Sequence, residues 1–332
     1  MSKVLSIVIP SYNTEKFIDE CLSSMLDVGN LRKIEILLVN DGSTDCTKEI
    51  AESYESRYPG AVRVINKSNG GHGSCVNRGI DEARGKYFKI VDGDDWVECK
   101  GLDKLVTLLE NSTEDVVINS VIEKNISTGK TKTINYNETG KVLELSEYLT
   151  SGYGEISLPA MTIKTSILQN NSIRVREKCF YEDTEYILYP IPYVKTIRSY
   201  SFPVYVYRVG QAAQSINPER AFRNRSMLHL IVEDCIDYFY ENENRFSGIV
   251  KEYIAEIVGS RIITMYNNFF KVKINKEIVN EIVEWDQELK SKSEYFYKRA
   301  GVFPISYLRK NIKRRAFTTY LMYKVFFAIR QR

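Results

Sequence analysis

The chain has 332 residues, with 46 Lys and Arg against 43 Asp and Glu, 43% hydrophobic and 27% charged side chains. Such proportions exclude intrinsic disorder, collagen and coiled coil, and the length suffices for one large domain plus an appendage. No run approaches roughly 18 consecutive apolar residues, and the opening MSKVLSIVIPSYN is too short in apolar residues for a signal peptide, so a cytoplasmic protein without a spanning helix is expected.

Ser6 to Pro10 and Ile34 to Val39 are short, branched, nearly continuous apolar runs, the pattern of strands covered on both faces of a parallel sheet. Between them Phe17, Cys21, Leu22, Met25 and Leu26 recur at helical spacing, with Asn13 or Thr14 as N-cap. Next come a predicted helix over Asp45 to Tyr58, a strand over Val62 to Ile65, a helix over Ser74 to Ala83 closed by Gly85, and a strand over Tyr87 to Val91. This alternation predicts a doubly wound α/β sheet, whose ligands sit beyond the carboxyl ends of its strands. Further on we read a helix over Leu102 to Leu109, a strand over Val116 to Ile122, a hairpin through Lys124 to Tyr136, and strands near Pro159 to Lys164 and Arg198 to Val209. Beyond Glu219, three amphipathic stretches at 219–241, 248–271 and 275–298 meet no glycine-proline cluster until Gly301 and Pro304, which predicts a helical appendage.

Acidic side chains cluster where strands should end. Strand two runs into Asn40-Asp41-Gly42-Ser43-Thr44-Asp45, and the strand from Tyr87 runs into Asp92-Gly93-Asp94-Asp95-Trp96. Three carboxylates within four residues repel one another unless a cation or hydrogen bonds compensate, so Asp92 to Asp95 suits Mg²⁺ or Mn²⁺, which prefer oxygen ligands. The plainer alternative is a turn whose aspartates cap a helix. Between the clusters lies Asn69-Gly70-Gly71-His72-Gly73-Ser74 ahead of a helix, where glycines let backbone approach a ligand and the helix N-terminus offers N–H donors to a phosphate. The six cysteines, Cys21, Cys46, Cys75, Cys99, Cys179 and Cys235, form no C-x-x-C pair and predict buried, reduced thiols; two histidines exclude a His-rich metal site.

The strings SIVIPSYN, LLVNDGSTD and NGGHGSCVNRGIDEARGKYFKIVDGDDW, in that order and spacing, resemble the nucleotide-binding half of family 2 glycosyltransferases with the GT-A fold. The resemblance is densest over about residues 4–100, weaker to about 215 and absent beyond. It implies a GT-A doubly wound mixed sheet over 1–215, with a nucleotide-binding half at 1–100 and an acceptor half at 101–215, then a helical region at 216–302 and a basic tail at 303–332. By resemblance, Pro10, Tyr12 and Asn13 frame the nucleotide, Asp41 reads a uracil base, Asp92 lies near the ribose, and Asp94, with Asp92, holds a metal bridging the diphosphate. Gly71, His72 and Asn77 fall in the third motif, which departs from the common Arg-Asn form by reading Val76-Asn77-Arg78; His72 contacts the base or a phosphate, or is an ordinary loop residue. A Q-x-x-R-W signature of processive synthases is missing, which favours single sugar addition.

In Phe180-Tyr181-Glu182-Asp183-Thr184-Glu185, the resemblance places the catalytic base at Asp183, with Glu182 as its supporting carboxylate. The chemistry asks for one, because a sugar hydroxyl is a poor nucleophile and must surrender its proton as it attacks. An acidic pair opening a helix also reads simply as favourable dipole chemistry. Tyr205-Val206-Tyr207-Arg208 followed by Ser215 resembles the element after the base in many relatives; Arg208 would reach the diphosphate and Ser215 would lie on a closing loop, or Arg208 is a surface arginine beside a strand.

From Pro304 onward there are eight basic and no acidic residues, so the first 303 carry 38 basic against 43 acidic, a net of −5. Phe317 to Ile329 holds a single charge, Lys324; as a helix it spans about 20 Å, too short to cross a bilayer and suited to lying on an anionic membrane surface. The alternative is a helix docked on its own body or on a second subunit, making a homo-oligomer. Nucleic acid is disfavoured, since apolar residues interleave the charges and no nucleic-acid motif is present. These features predict a metal-dependent inverting transferase moving a sugar from a nucleotide-sugar donor, a UDP-sugar, to a lipid-linked glycan acceptor in bacterial surface-glycan synthesis, peripheral on the inner face of the plasma membrane. The alternatives are a nucleotidyltransferase and a non-catalytic binding module.

Overall fold

The two branched runs near the start of the chain are strands buried along their whole length: β1 (Leu5–Ser11) and β2 (Ile34–Asn40) run parallel, with Leu5 opposite Ile34 and Ser11 opposite Asn40. The structure, a computed structural model, describes residues 2–151, 156–210, 218–246 and 248–330, with side chains to 325. It divides the chain into units 1–211 and 212–332.

In the first unit, α1 (Ile18–Ser23) links β1 to β2, and α2 (Thr47–Arg57), β3 (Val62–Asn66), α3 (His72–Glu82) and β4 (Tyr87–Ile90) complete the alternation read from the sequence. Then follow β5 (Trp96–Val97), α4 (Cys99–Asn111), β6 (Val116–Asn125), β7 (Thr131–Ile134), β8 (Leu143–Glu144), α5 (Leu145–Thr150), β9 (Met161–Lys164), α6 (Thr165–Asn170), α7 (Asp183–Leu188) and β10 (Thr196–Val209). They form one mixed sheet in the order β3-β2-β1-β4-β9-β6-β10-β5, with β7 on β6 and β8 on β10. Strands β3, β2, β1 and β4 are parallel; β9 turns antiparallel against both β4 and β6. Residues beyond 100 therefore build the same sheet as those before it.

Several boundaries differ from the sequence reading for local reasons. Neither Asn13 nor Thr14 caps α1 with its side chain; Asn13 has a positive φ of 53° and its Oδ1 accepts the Thr44 N–H at 2.8 Å. Gly85 is not a helix cap: α3 passes into extended Ala83, and Gly85 is needed because a Cβ there would stand 2.5 Å from the Ser6 nitrogen. Helix α4 starts at Cys99, capped by Glu98, whose side chain accepts the Gly101 N–H. Cys46 is exposed rather than buried, and none of the cysteines is in a disulfide.

The second unit holds α8 (Pro218–Arg223), α9 (Arg225–Glu241), α10 (Gly248–Phe269), α11 (Lys276–Lys292), α12 (Glu294–Arg299), α13 (Ile305–Arg309) and α14 (Ile312–Arg330). The helix read over 275–298 is two helices, because Ser293 leaves helical geometry and caps α12 by accepting the Phe296 N–H at 3.1 Å. A buried Asp286 accepts from Tyr266 at 2.6 Å, Arg309 at 2.7 Å and Tyr297 at 3.2 Å, joining α13 to α10, α11 and α12. The start of the basic tail is thereby docked within this unit, and Ala316 and Thr319 of α14 are buried. Phe317, Leu321 and Val325, four residues apart, are exposed at 59%, 47% and 61%. Among the described residues no helix is long and apolar enough to cross a membrane.

Candidate active site

The carboxyl ends of β1, β2 and β4 converge. The Pro10 carbonyl accepts the Gly93 N–H at 3.2 Å, and the Asp41 N–H donates to the Ser11 carbonyl at 2.8 Å. Asn13 reaches across by donating its N–H to Ser43 Oγ at 3.0 Å, while the Tyr12 side chain is half exposed at 52%. Gly93 lies against β1, where a Cβ would come within 2.7 Å of Ser11 Oγ.

Asp41 is buried and engaged on both oxygens. Oδ1 accepts from Lys67 Nζ at 2.6 Å and from the Gly70 N–H at 2.9 Å; Oδ2 accepts from the Gly71 N–H at 2.8 Å. It folds the Gly70-Gly71 turn, in which Gly71 takes a φ of 83° and precedes α3.

Those glycines admit protein backbone, not only a ligand as the sequence suggested. Lys178 donates its N–H to the Gly70 carbonyl at 2.7 Å, and a Cβ on Gly71 would meet the Lys178 nitrogen at 3.0 Å. Asn77, expected on the donor, is buried and pairs its amide with Val175 through both the N–H and the carbonyl at 2.9 Å, and with Glu177 at 3.2 Å. The segment 175–178 is thus fastened along the first half of α3 and leads directly into Glu182 and Asp183.

At the start of α3, His72 joins the acidic motifs. Its Nε2 lies 2.9 Å from Asp92 Oδ1 and its Nδ1 lies 2.6 Å from Glu182 Oε1. Burial works against a charge on this ring, but the hydrogen bond to Asp92 and the close Glu182 carboxylate, with the negative charge of both, hold its pKa well above the ordinary histidine value. Burial likewise works to raise Asp92, and the His72 bond and charge outweigh it, leaving Asp92 below the usual carboxylate range.

The rest of the D-x-D loop is fixed from β10. The Tyr205 hydroxyl lies 2.6 Å from Asp95 Oδ2 and 3.3 Å from Asp92 Oδ2, and it accepts the Asp92 N–H at 3.2 Å. One phenolic proton cannot serve two carboxylates. Burial, with the charges of Asp92 and Asp94, pushes the Asp95 carboxyl well above the usual carboxylate range, which favours a shared proton among the three groups. Arg208 is only 6% exposed: its N–H donates to Asp95 Oδ1, its Nε to the Asp94 carbonyl and its Nη2 to Glu20, each at 2.6 Å, between the rings of Phe17 and Trp96. It is neither a surface arginine nor open to solvent; it braces the loop that carries Asp94.

Asp94 differs from its neighbours. Its carboxylate has no hydrogen bond or ion pair with another side chain among the described residues, and burial and the Asp92 charge raise its pKa. A cation beside it would remove that penalty, so the donor chemistry fits one ligand of a hard divalent ion. No group of three His, Cys, Asp or Glu side chains able to hold a metal by themselves occurs among the described residues, and Asp92 is engaged by His72 and Tyr205. Asp183 opens α7 and accepts the Thr184 N–H at 2.9 Å. Ser215 lies outside the described residues.

The structure thus brings Asp92, His72 and Glu182 into contact, sets Asp94 and Asp183 on the flanking turns, and commits Asp41, Asn77 and Arg208 to protein partners. Sequence reasoning placed Tyr205 in the motif with Arg208 but gave it no role, and it missed Lys67 and Glu20. A polar residue within a strand, as Tyr205 is, gave the available signal, but periodicity does not say which carboxylate it meets.

Comparison with known proteins places these observations. The sequence pattern described as glycosyl transferase family 2 matches residues 6–167. The chain is 45% identical over 117 residues to an uncharacterized glycosyltransferase, EpsJ, of Bacillus subtilis (35% of this chain, 33% of that one) and 38% identical over 130 residues to the glycosyltransferase GlyG of Streptococcus pneumoniae (39% and 42%). The matched stretch spans about a third of the length of EpsJ. Among solved structures, Staphylococcus aureus TarS residues 1–349 in complex with UDP-GlcNAc superposes with a TM-score of 0.66 at 20% identity, over 99% of this chain and 92% of that one. The Pyrobaculum calidifontis mannosyltransferase PcManGT in complex with GDP-Man and Mn²⁺ gives 0.50 at 12% identity, over 91% and 86%. The expected GT-A fold is the fold of this chain, an α/β mixed sheet with helices at the C-terminal end.

Proposed function

We propose that this chain, which belongs to glycosyl transferase family 2 through residues 6–167, transfers a sugar from a UDP-sugar to a glycan acceptor with inversion at the anomeric carbon. The observation that carries this reading is the meeting at His72 of Asp92, from the D-x-D loop, with Glu182, beside the candidate base, although 90 residues separate the two acids in sequence. A uridine donor is supported by the UDP-GlcNAc and UDP complexes of TarS.

In this reading Asp183 takes the proton of the acceptor hydroxyl as its oxygen bonds to the anomeric carbon. The bond from that carbon to the diphosphate oxygen breaks, and its electron pair leaves with the nucleoside diphosphate. Asp94 is the residue that would hold a Mg²⁺ or Mn²⁺ ion, and such an ion supplies Lewis-acid neutralisation of the leaving diphosphate when bound. Arg208 and Tyr205 keep the Asp94 turn in place, and Pro10, Tyr12 and Asn13 border the donor side.

The acceptor is a lipid-linked bacterial surface glycan in this proposal, presented at an anionic membrane that the tail meets peripherally. Supporting it are Phe317, Leu321 and Val325 exposed on one side of α14, with Lys313, Arg314 and Lys324 on the same helix and no acid beyond Pro304.

The test is a panel of UDP-, GDP- and TDP-sugars incubated with the protein and Mg²⁺ or Mn²⁺. Release of nucleoside diphosphate from a UDP-sugar supports the proposal. Release of pyrophosphate in a parallel incubation with UTP and a sugar 1-phosphate would point to nucleotidyl transfer instead, and the absence of turnover with every donor would overturn it.

A further inference from the structure

We propose that His72 is a positioning residue that clamps the D-x-D loop to the helix bearing Asp183, so that occupation of the donor side and placement of the base are coupled. The inference rests on the glycosyltransferase reading for the identity of those two sides. The clamp itself rests only on geometry.

Both ring nitrogens are engaged by carboxylates from different elements: Nε2 by Asp92, just past β4, and Nδ1 by Glu182, the residue before α7. Glu182 is nearly buried, and an anion in such a place is tolerated when it is paired. A ring used on both edges contacts a donor only by giving up one of these partners. That distinguishes a clamp from a direct donor ligand.

A second set of contacts reaches the same segment independently. Gly70 binds the Lys178 N–H, Asn77 binds both polar groups of Val175, and Gly73 packs directly under Arg176. Glu185, one turn into α7, accepts the Arg176 N–H at 2.6 Å. The first two turns of α3 therefore carry the base segment on one side and the D-x-D loop on the other, with His72 at the junction. A shift of Asp92 on donor binding pulls on His72, and His72 holds Glu182, the immediate neighbour of Asp183. Linkage makes such coupling reciprocal, so the placement of Asp183 in turn biases the donor side.

The test uses the full chain with His72→Ala and the more conservative His72→Gln. Hydrogen–deuterium exchange is followed in peptides covering 88–96 and 180–188, UDP binding by calorimetry, and turnover with the donor found active. His72→Ala should speed exchange in both peptides and lower kcat about 10–100-fold, the range seen when a residue orienting another functional group is lost. UDP affinity should change less than about threefold, and His72→Gln, keeping one donor, should recover part of kcat. UDP affinity that falls in step with kcat would make His72 a donor ligand and overturn the clamp. Faster exchange in only one peptide, or an unchanged kcat, would overturn it too. Exchange needs no transfer activity, so a wild-type chain inactive on every donor would sink the functional reading while the two peptides still decide the clamp.

Discussion

Gly73, in the first turn of α3, lies so close to Arg176 that an added methyl group would stand 2.1 Å from the Arg176 carbonyl oxygen. The backbone of the segment that leads into α7 occupies the space a side chain would need. In an open helix Gly→Ala would gain up to about 1 kcal/mol. Here the clash should reverse the sign, and Gly73→Ala should destabilise by about 1–3 kcal/mol. Thermal melts of the variant should fall by several degrees, with turnover reduced because 176–182 is displaced; a melt at or above the wild type would contradict this packing.

Asp183→Asn keeps the shape of the side chain but not its basicity. Turnover should drop by about 10²–10⁴, the usual contribution of a general base, while UDP binding stays within a few-fold of the wild type. Calorimetry alongside nucleotide-release assays separates the two. Equal loss of both would make Asp183 a binding residue.

Asp94→Asn removes a loop carboxylate that has no side-chain partner among the described residues. If it holds the ion, the concentration of Mn²⁺ needed for half-maximal turnover should rise more than about tenfold, a change of about 1.4 kcal/mol. Stability without metal should hold or improve, since burial and Asp92 already disfavour the Asp94 charge. An unchanged metal titration would remove Asp94 from the site.

Lys89, fully buried on β4, donates to the Pro159 carbonyl at 2.7 Å and the Met161 carbonyl at 3.4 Å, and burial lowers its pKa from 10.5 to about 7. Between these two values the unfolded chain holds the extra proton, so this group makes stability rise with pH across that window. Urea denaturation at pH 7 and pH 9 should find a gain of about 1–3 kcal/mol in the wild type that Lys89→Met lacks. Equal pH responses in the two proteins would mean that Lys89 stays charged in the fold.

Leu321→Asp puts an acid in the middle of the exposed apolar stripe of α14. Co-sedimentation with phosphatidylglycerol-containing vesicles should fall severalfold, and added salt should weaken wild-type binding, because the attraction combines apolar burial with charge. Wild-type protein that ignores such vesicles would end the membrane proposal.

Much of the sheet that carries the candidate site was legible in the residues. The buried runs of β1 and β2 have no polar face, and that alone requires a sheet covered on both sides, with acids where the strands stop. The acids after β4 were legible as a group but not as individuals. Their spacing does not reveal that Tyr205 and Arg208, more than 100 residues later, would brace Asp95 and Asp94 while leaving the Asp94 carboxylate open. The protein partners of Asn77 and of the glycines around His72 were not legible for a related reason: a small or amide side chain beside a helix start suits a phosphate and a crossing backbone equally well, and only the fold brings Val175 and Lys178 there.

By itself, the sequence determined the alternation of strands and helices, the place of the acidic turns at strand ends, and the basic, apolar character of the last helix, all of which follow from local periodicity and side-chain chemistry. Only the tertiary structure decided which acids meet. Strand β9 enters the sheet between β4 and β6, and the chain after it returns along α3, which carries Glu182 to His72 and Asp92. Contacts across 90 residues depend on how the sheet closes, a property of the whole packed chain that no window of sequence contains.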